Sequence, residues 1–365
     1  MQYILIFVWI GFLALVARSL QVKRTVLVEG IEEDRYIWAF AFIAFLPVIL
    51  MAGFRDRWFA DTTLYVSSYL KMPLSISEIP DYMSEVSKDQ GFSLLSCILK
   101  LFVKDDFRTY LVIIASIQGL ILVSFFRKYS TEYMISVFLF VASTDYLSWM
   151  FNGIRQFMAV VIILLSSKYI FNKKYIPAIG IILIASTFHK SALLMIPVIF
   201  IVQGQAWNKK TILFIFATLI AIAFIGNFTT LMDSALADTQ YSNVVMEYTS
   251  WKDNGTNPLR VAVYSIPAVI SFIQRKKIVE SKSAVINICV NMSIVSAGLY
   301  VISMFTSGIF LGRLPIYCSL FGYILLPWEL KNMVDDKTKS YIYVLMIVLY
   351  LAFYFFQLHF VWGTI

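Results

Sequence analysis

Arg155 and His189 are the residues around which chemistry can be organised. Arg155 opens one membrane-length apolar run and His189 closes the next, with the basic loop Asn172-Lys173-Lys174 between them. Lysine and arginine concentrate on the cytoplasmic side of membrane proteins, so that loop is expected inside and both side chains outside. Two ionisable groups at one depth on one face of a membrane constitute a site hypothesis. A guanidinium donates paired hydrogen bonds to phosphate and stays charged. An imidazole titrates near neutrality and can act as a base.

Other residues are expected on the same face: Arg55, Arg57 and Asp61 after the second apolar run, Lys190 beside His189, and Arg313 with Tyr317. Asn152, Arg155 and Gln156 are spaced i, i+3 and i+4, which puts them on one helical face. Asp61 and Tyr65, like Arg313 and Tyr317, are four residues apart. Arginines converging from separate helices point to a phosphate-bearing ligand at headgroup depth, with Asp61 as the carboxylate alternative to His189. Taken singly, each has a plainer reading. An arginine at a helix mouth is commonly a snorkelling anchor, and tyrosines and tryptophans at the boundaries form an aromatic belt. Asp145, near the outer end of its run, suits a structural pairing with arginine as well as it suits the site. Coincidence on one face is what favours a site.

The elements that must position these residues are membrane helices. Of 365 residues 60% are hydrophobic and 14% charged, against about 25% charged in soluble domains; the mean hydropathy is +0.78. Apolar runs recur from end to end, which predicts an all-α, polytopic integral membrane protein of about twelve spans. The expected spans are 2–20, 36–54, 108–126, 133–150, 154–171, 175–189, 191–203, 211–228, 259–274, 283–305, 313–328 and 341–360, with both termini outside. The piece 91–103 is too short to cross and contains Lys100, so it reads as a re-entrant or interfacial helix. The chain 1–365 is expected to be one transmembrane domain with outside elaborations at 55–103 and 229–258. A net charge of +8 could suggest nucleic acid. The basic residues instead fall in short loops, a topological pattern that argues against it. Cys97, Cys289 and Cys318 have no metal-ligand spacing and read as small core residues, so no metal is expected.

Several segments resemble the EpsG/Wzy-type polysaccharide polymerases of bacterial envelopes. Phe54-Arg55 followed by Asp61-Thr62-Thr63-Leu64-Tyr65 looks like that family's arginine, aspartate and tyrosine after the second helix. Asn152-Gly153-Ile154-Arg155-Gln156 looks like its N-x-x-R-Q signature, and Phe188-His189-Lys190-Ser191-Ala192 resembles its F-H-x-S-A element. Gly312-Arg313 with Tyr317 resembles its late R-x-x-x-Y. One departure stands out: Ala60 takes the place of a glycine common in the second-helix motif.

The resemblance implies a GT-C-like glycosyltransferase of the inner, cytoplasmic membrane that needs neither metal nor cofactor. Its substrates would be undecaprenyl-diphosphate-linked oligosaccharides as donor and acceptor. It would build O-antigen, capsule or exopolysaccharide at the face toward the periplasm or cell exterior. Arg155 and Arg313 would hold the diphosphate, with Arg55 assisting. His189 would be the base, with Asp61 next, and Tyr65, Asn152, Gln156 and Tyr317 would line the substrate. Membrane lipid surrounds such an enzyme, and a chain-length regulator and a flippase are the partners implied. A ligase of finished glycan would use nearly the same site. A flippase usually shows two related halves or interrupted helices, and no sequence repeat is present. An acyltransferase is less favoured, because an arginine cluster suits diphosphate better than a thioester.

Overall fold

The computed structural model describes residues 2–28, 31–224, 255–306, 308 and 311–363. The chain is mostly helical and divides into two compact units. The first comprises 1–168, 176–193 and 330–365; the second comprises 169–175 and 194–329. Most of the expected outer segment 229–258 lies outside the described residues.

In the first unit, α1 (Gln2–Ser19) leads into an antiparallel hairpin of β1 (Lys23–Val28) and β2 (Ile31–Tyr36). This hairpin departs from the all-helical expectation. Thr25-Val26-Leu27-Val28 carries β-branched side chains at three of four places, which favours strand over helix. Register pairs Thr25 with Asp34, and the Thr25 hydroxyl donates to the Asp34 carboxylate at 3.0 Å. The hairpin is tied to the membrane helices by two arginines. Arg35 donates to the Ser130 carbonyl, and Arg127 to the Tyr36 carbonyl at 2.6 Å.

Helix α2 (Trp38–Gly53) packs along α6 (Phe107–Tyr129). Gly119 permits the close approach, since a Cβ there would fall 2.4 Å from the Ile49 side chain. Between them in sequence lie α3 (Thr62–Leu70), α4 (Ile79–Glu85) and α5 (Gln90–Val103). At 1.5 Å per residue α5 is about 21 Å long, below the ~30 Å of a hydrocarbon core. Its Lys100 is fully buried, ion-paired with Asp105 and donating to the Leu70 carbonyl at 3.3 Å.

Among the described residues three helices are long and apolar enough to cross a membrane: α6, Ala284–Met304 and Asp336–Val361. A fourth is added if α7 (Tyr133–Ala142) and the π-helical turn Tyr146–Asn152 count as one span bent by 73°. The apolar run predicts a helix over 133–150. The chain instead breaks at Thr144, which adopts φ +66°, and the fully buried Asp145 sits in the break. The expected span 154–171 is likewise divided, into α8 (Ile154–Leu164) and the short α9 (Ser167–Phe171). Several other expected spans form apolar helices of 10–17 residues, including α10 (Tyr175–Phe188).

The second unit is built around the largely buried helix Ala284–Met304, which packs against Lys209–Ala223 and Pro258–Ile273. One turn of it staples a preceding loop. Asn287 accepts the Ala206 N–H at 2.7 Å, and Asn291 both accepts the Trp207 N–H and donates to the Val202 carbonyl. Cys289 and Cys318 here, and Cys97 in the first unit, are buried and form no disulfide among the described residues, as core residues should.

Candidate functional site

Four segments of the first unit meet around Arg155. The earliest is the turn after α2. Arg55 is buried there; its Nε donates to the Thr62 hydroxyl at 2.8 Å, another donor reaches the Ala52 carbonyl, and the guanidinium lies 5.7 Å from the centre of the Phe151 ring. Burial lowers its pKa to about 10, partly countered by the nearby Tyr65 and Tyr110, so it stays cationic at neutral pH. Arg55 thus clamps the end of α2 to the start of α3. Its Nη2 is buried without a hydrogen-bond partner among the described residues.

Asp61 is the residue before α3, and the turn delivering it places Ala60 at φ +47°. That left-handed backbone suits glycine, the residue Ala60 replaces in the motif. The Asp61 carboxylate makes no hydrogen bond or ion pair among the described residues, while its backbone N–H donates to the Asn152 side-chain oxygen at 3.3 Å. Tyr65, one turn along α3, donates its hydroxyl to the Asn152 carbonyl at 2.8 Å.

Asn152 and Arg155 do not share one helical face. Asn152 ends the π-helical turn, Gly153 follows with φ −95° and ψ 42°, and Arg155 belongs to α8. Spacing of i and i+3 assumes an unbroken helix, and the break turns Asn152 toward α3. Arg155 is 45% exposed, lies 5.6 Å from the centre of the Tyr65 ring and pairs with Asp89 at 2.9 Å. Gln156, the next residue of α8, is buried. Its amide donates to the Ser191 hydroxyl at 3.3 Å, and that hydroxyl sits 2.6 Å from Nδ1 of His189. A short polar chain therefore links the R-Q element to the H-x-S-A element.

Asp89 was not among the sequence candidates. It precedes α5 in a left-handed conformation, φ +51° and ψ +44°, and its side chain is 8% exposed. Burial raises its pKa above the ordinary carboxylate value, opposed by Arg155, Lys88 and Lys190. Two residues on, a Cβ at Gly91 would fall 2.2 Å from the Thr187 hydroxyl and 3.0 Å from its carbonyl carbon. Only glycine lets the start of α5 lie against the end of α10, and that contact carries Asp89 to Arg155. Residue type and a charge before an apolar run were the only signals in the sequence, and both are common.

Arg313 and Tyr317 belong to the second unit. Arg313 is exposed at the end of a 3-10 turn, whereas Tyr317 is fully buried in the short helix Ile316–Ser319. Pro315 separates them and ends the regular helical register, so the expected shared face does not form. Among the described residues no three His, Cys, Asp or Glu side chains gather as a metal-ligand set.

The first-unit cluster thus combines an accessible guanidinium, a carboxylate with no hydrogen bond or ion pair among the described residues, and an imidazole hydrogen-bonded to a serine that a glutamine contacts in turn. Such a set can bind an anion and accept a proton beside it. A family model described as the EpsG family matches residues 38–363, which include all of these side chains. No curated protein and no solved structure matches the chain.

Proposed function

The chain belongs to the EpsG family, and from that premise we propose that it polymerises lipid-diphosphate-linked oligosaccharide repeat units at the extracytoplasmic face of a bacterial inner membrane. Family membership supports a polysaccharide-polymerase type of role in general, in a membrane protein. The observation that carries the finer reading is the convergence of Arg155, Asp61 and the His189–Ser191–Gln156 chain in one unit.

In the proposed reaction an acceptor sugar hydroxyl attacks the anomeric carbon of the donor glycan. The bond from that carbon to the undecaprenyl diphosphate oxygen breaks, and the diphosphate leaves with the electron pair. Arg155 stabilises the charge that develops on it. His189 takes the hydroxyl proton: when Nδ1–H donates to Ser191, Nε2 carries the basic lone pair. Asp61 is the carboxylate that could replace it as base. Tyr65 and Asn152 shape the floor beside Asp61, and Gln156 orients Ser191. Arg55 acts from beneath as a clamp, and Tyr317 supports the segment that bears Arg313. The reaction as written uses no cofactor, and the partners expected are a flippase and a chain-length regulator.

Gel analysis of surface polysaccharide tests this, using cells lacking the gene and complemented with wild type, Arg155→Ala or His189→Ala. The expected result is loss of the long ladder while single-repeat glycan still reaches its acceptor. Unchanged polymer length in variants that accumulate normally in the membrane would overturn the assignment. Polymer stranded on its lipid carrier would mark a ligase instead.

A further inference from the structure

Arg155 is already occupied by an anion from its own chain. Asp89 Oδ2 lies 2.9 Å from one terminal nitrogen, and the other N–H groups of Arg155 make no hydrogen bond among the described residues. The carboxylate itself is poorly satisfied: Oδ1 is buried with no hydrogen-bond partner among the described residues. A buried, half-satisfied carboxylate is a weak structural anchor, because its desolvation is not repaid on both oxygens. Its place is nevertheless rigid, since Gly91 presses the start of α5 against Thr187. Lys88 and Lys190 add positive potential around the same carboxylate. The guanidinium is thus pre-oriented, between Asp89 and the Tyr65 ring, with donors to spare.

We infer that Asp89 is a positioning residue that holds Arg155 as an internal stand-in for the substrate's diphosphate, and that binding exchanges one anion for the other on the guanidinium. The inference rests on the polymerase reading for the identity of the incoming anion. A diphosphate diester carries two charges and several acceptor oxygens, enough to displace a carboxylate bound through one oxygen. A phosphodiester headgroup carries only one charge. The stand-in therefore also filters the substrate from the phospholipid headgroups that crowd a membrane surface. No covalent step is involved; Asp89 acts through Arg155.

Titration calorimetry tests the exchange on the full chain in nanodiscs of phosphatidylcholine, with inorganic pyrophosphate as the probe. Asp89→Asn and Asp89→Gly both remove the charge, and both residues accept the positive φ at this place, so the fold is retained. Each should bind pyrophosphate about tenfold more tightly than wild type, because the probe no longer competes with an internal anion. The preference for pyrophosphate over dimethyl phosphate should narrow at the same time. Adding Arg155→Gln to Asp89→Asn should abolish the gain. A merely structural role for Asp89 predicts weaker binding, the opposite sign. Equal or weaker binding by both Asp89 variants overturns the exchange, and so does a gain that survives Arg155→Gln. Either result leaves the polymerase reading in place, because that reading is decided by the glycan ladder.

Discussion

The Tyr65 hydroxyl donates to the Asn152 carbonyl at 2.8 Å, joining residues 87 positions apart in the chain. The bond uses a carbonyl freed by the helix break before α8, so it exists only because that helix is interrupted. Breaking the helix exposes backbone acceptors that need partners, and Tyr65 supplies one while placing its ring under Arg155.

Tyr65→Phe should separate those two contributions. The ring stays beneath Arg155, but the Asn152 carbonyl loses its donor. A loss of about 1 kcal/mol is expected, read as a lower Tm in detergent, with pyrophosphate affinity little changed. Tyr65→Ala removes the ring as well, and should weaken pyrophosphate binding in the same preparation. Equal affinities for the two variants would show that the ring contributes nothing to Arg155.

Ala60 holds a left-handed backbone at φ +47° and is solvent-exposed. An L-residue there carries a strain of about 1–2 kcal/mol, partly offset by the smaller entropy of its unfolded chain relative to glycine. Ala60→Gly should therefore raise stability by roughly 0.5–1 kcal/mol. Thermal unfolding measures it; a fall in Tm would show that the turn relaxes away from this conformation. Ala60→Val should lower Tm, because a β-branched side chain tolerates positive φ poorly.

Asp89 links stability to pH. Its folded pKa lies above the ordinary value of 3.8, chiefly through burial. The folded state therefore favours the protonated form; this contribution is full below 3.8 and is lost as pH rises through the folded pKa. Asp89→Asn cannot ionise, so it should gain on wild type as pH rises through that range and keep the advantage at neutrality. Paired Tm measurements on the two proteins from acid to neutral pH check the sign. A wild-type advantage that grows toward neutrality would mean that Arg155, Lys88 and Lys190 outweigh the burial.

Much of the cluster was legible in order along the chain. Arg155 and Gln156 are adjacent in α8, and His189 comes directly before the 3-10 turn Lys190–Leu194 that carries Ser191, so spacings this short survive an interrupted helix. The shared faces expected for Asn152 with Arg155 and for Arg313 with Tyr317 did not form, since Gly153 and Pro315 interrupt the helices that spacing presumed. Hydropathy reads the average over a window. Single residues such as Thr144, whose backbone turns a long apolar run into two pieces, disappear in that average.

By itself the sequence determined the helical class with its membrane-length apolar runs, and the chemical types of the side chains proposed to bind an anion and move a proton. Both follow from residue types, which hydration free energies and acid–base chemistry constrain directly. Only the tertiary structure decided that Asp89, 66 residues earlier in the chain, occupies Arg155. Ion pairs between distant segments depend on which backbones can approach, and here a missing side chain at Gly91 decides it.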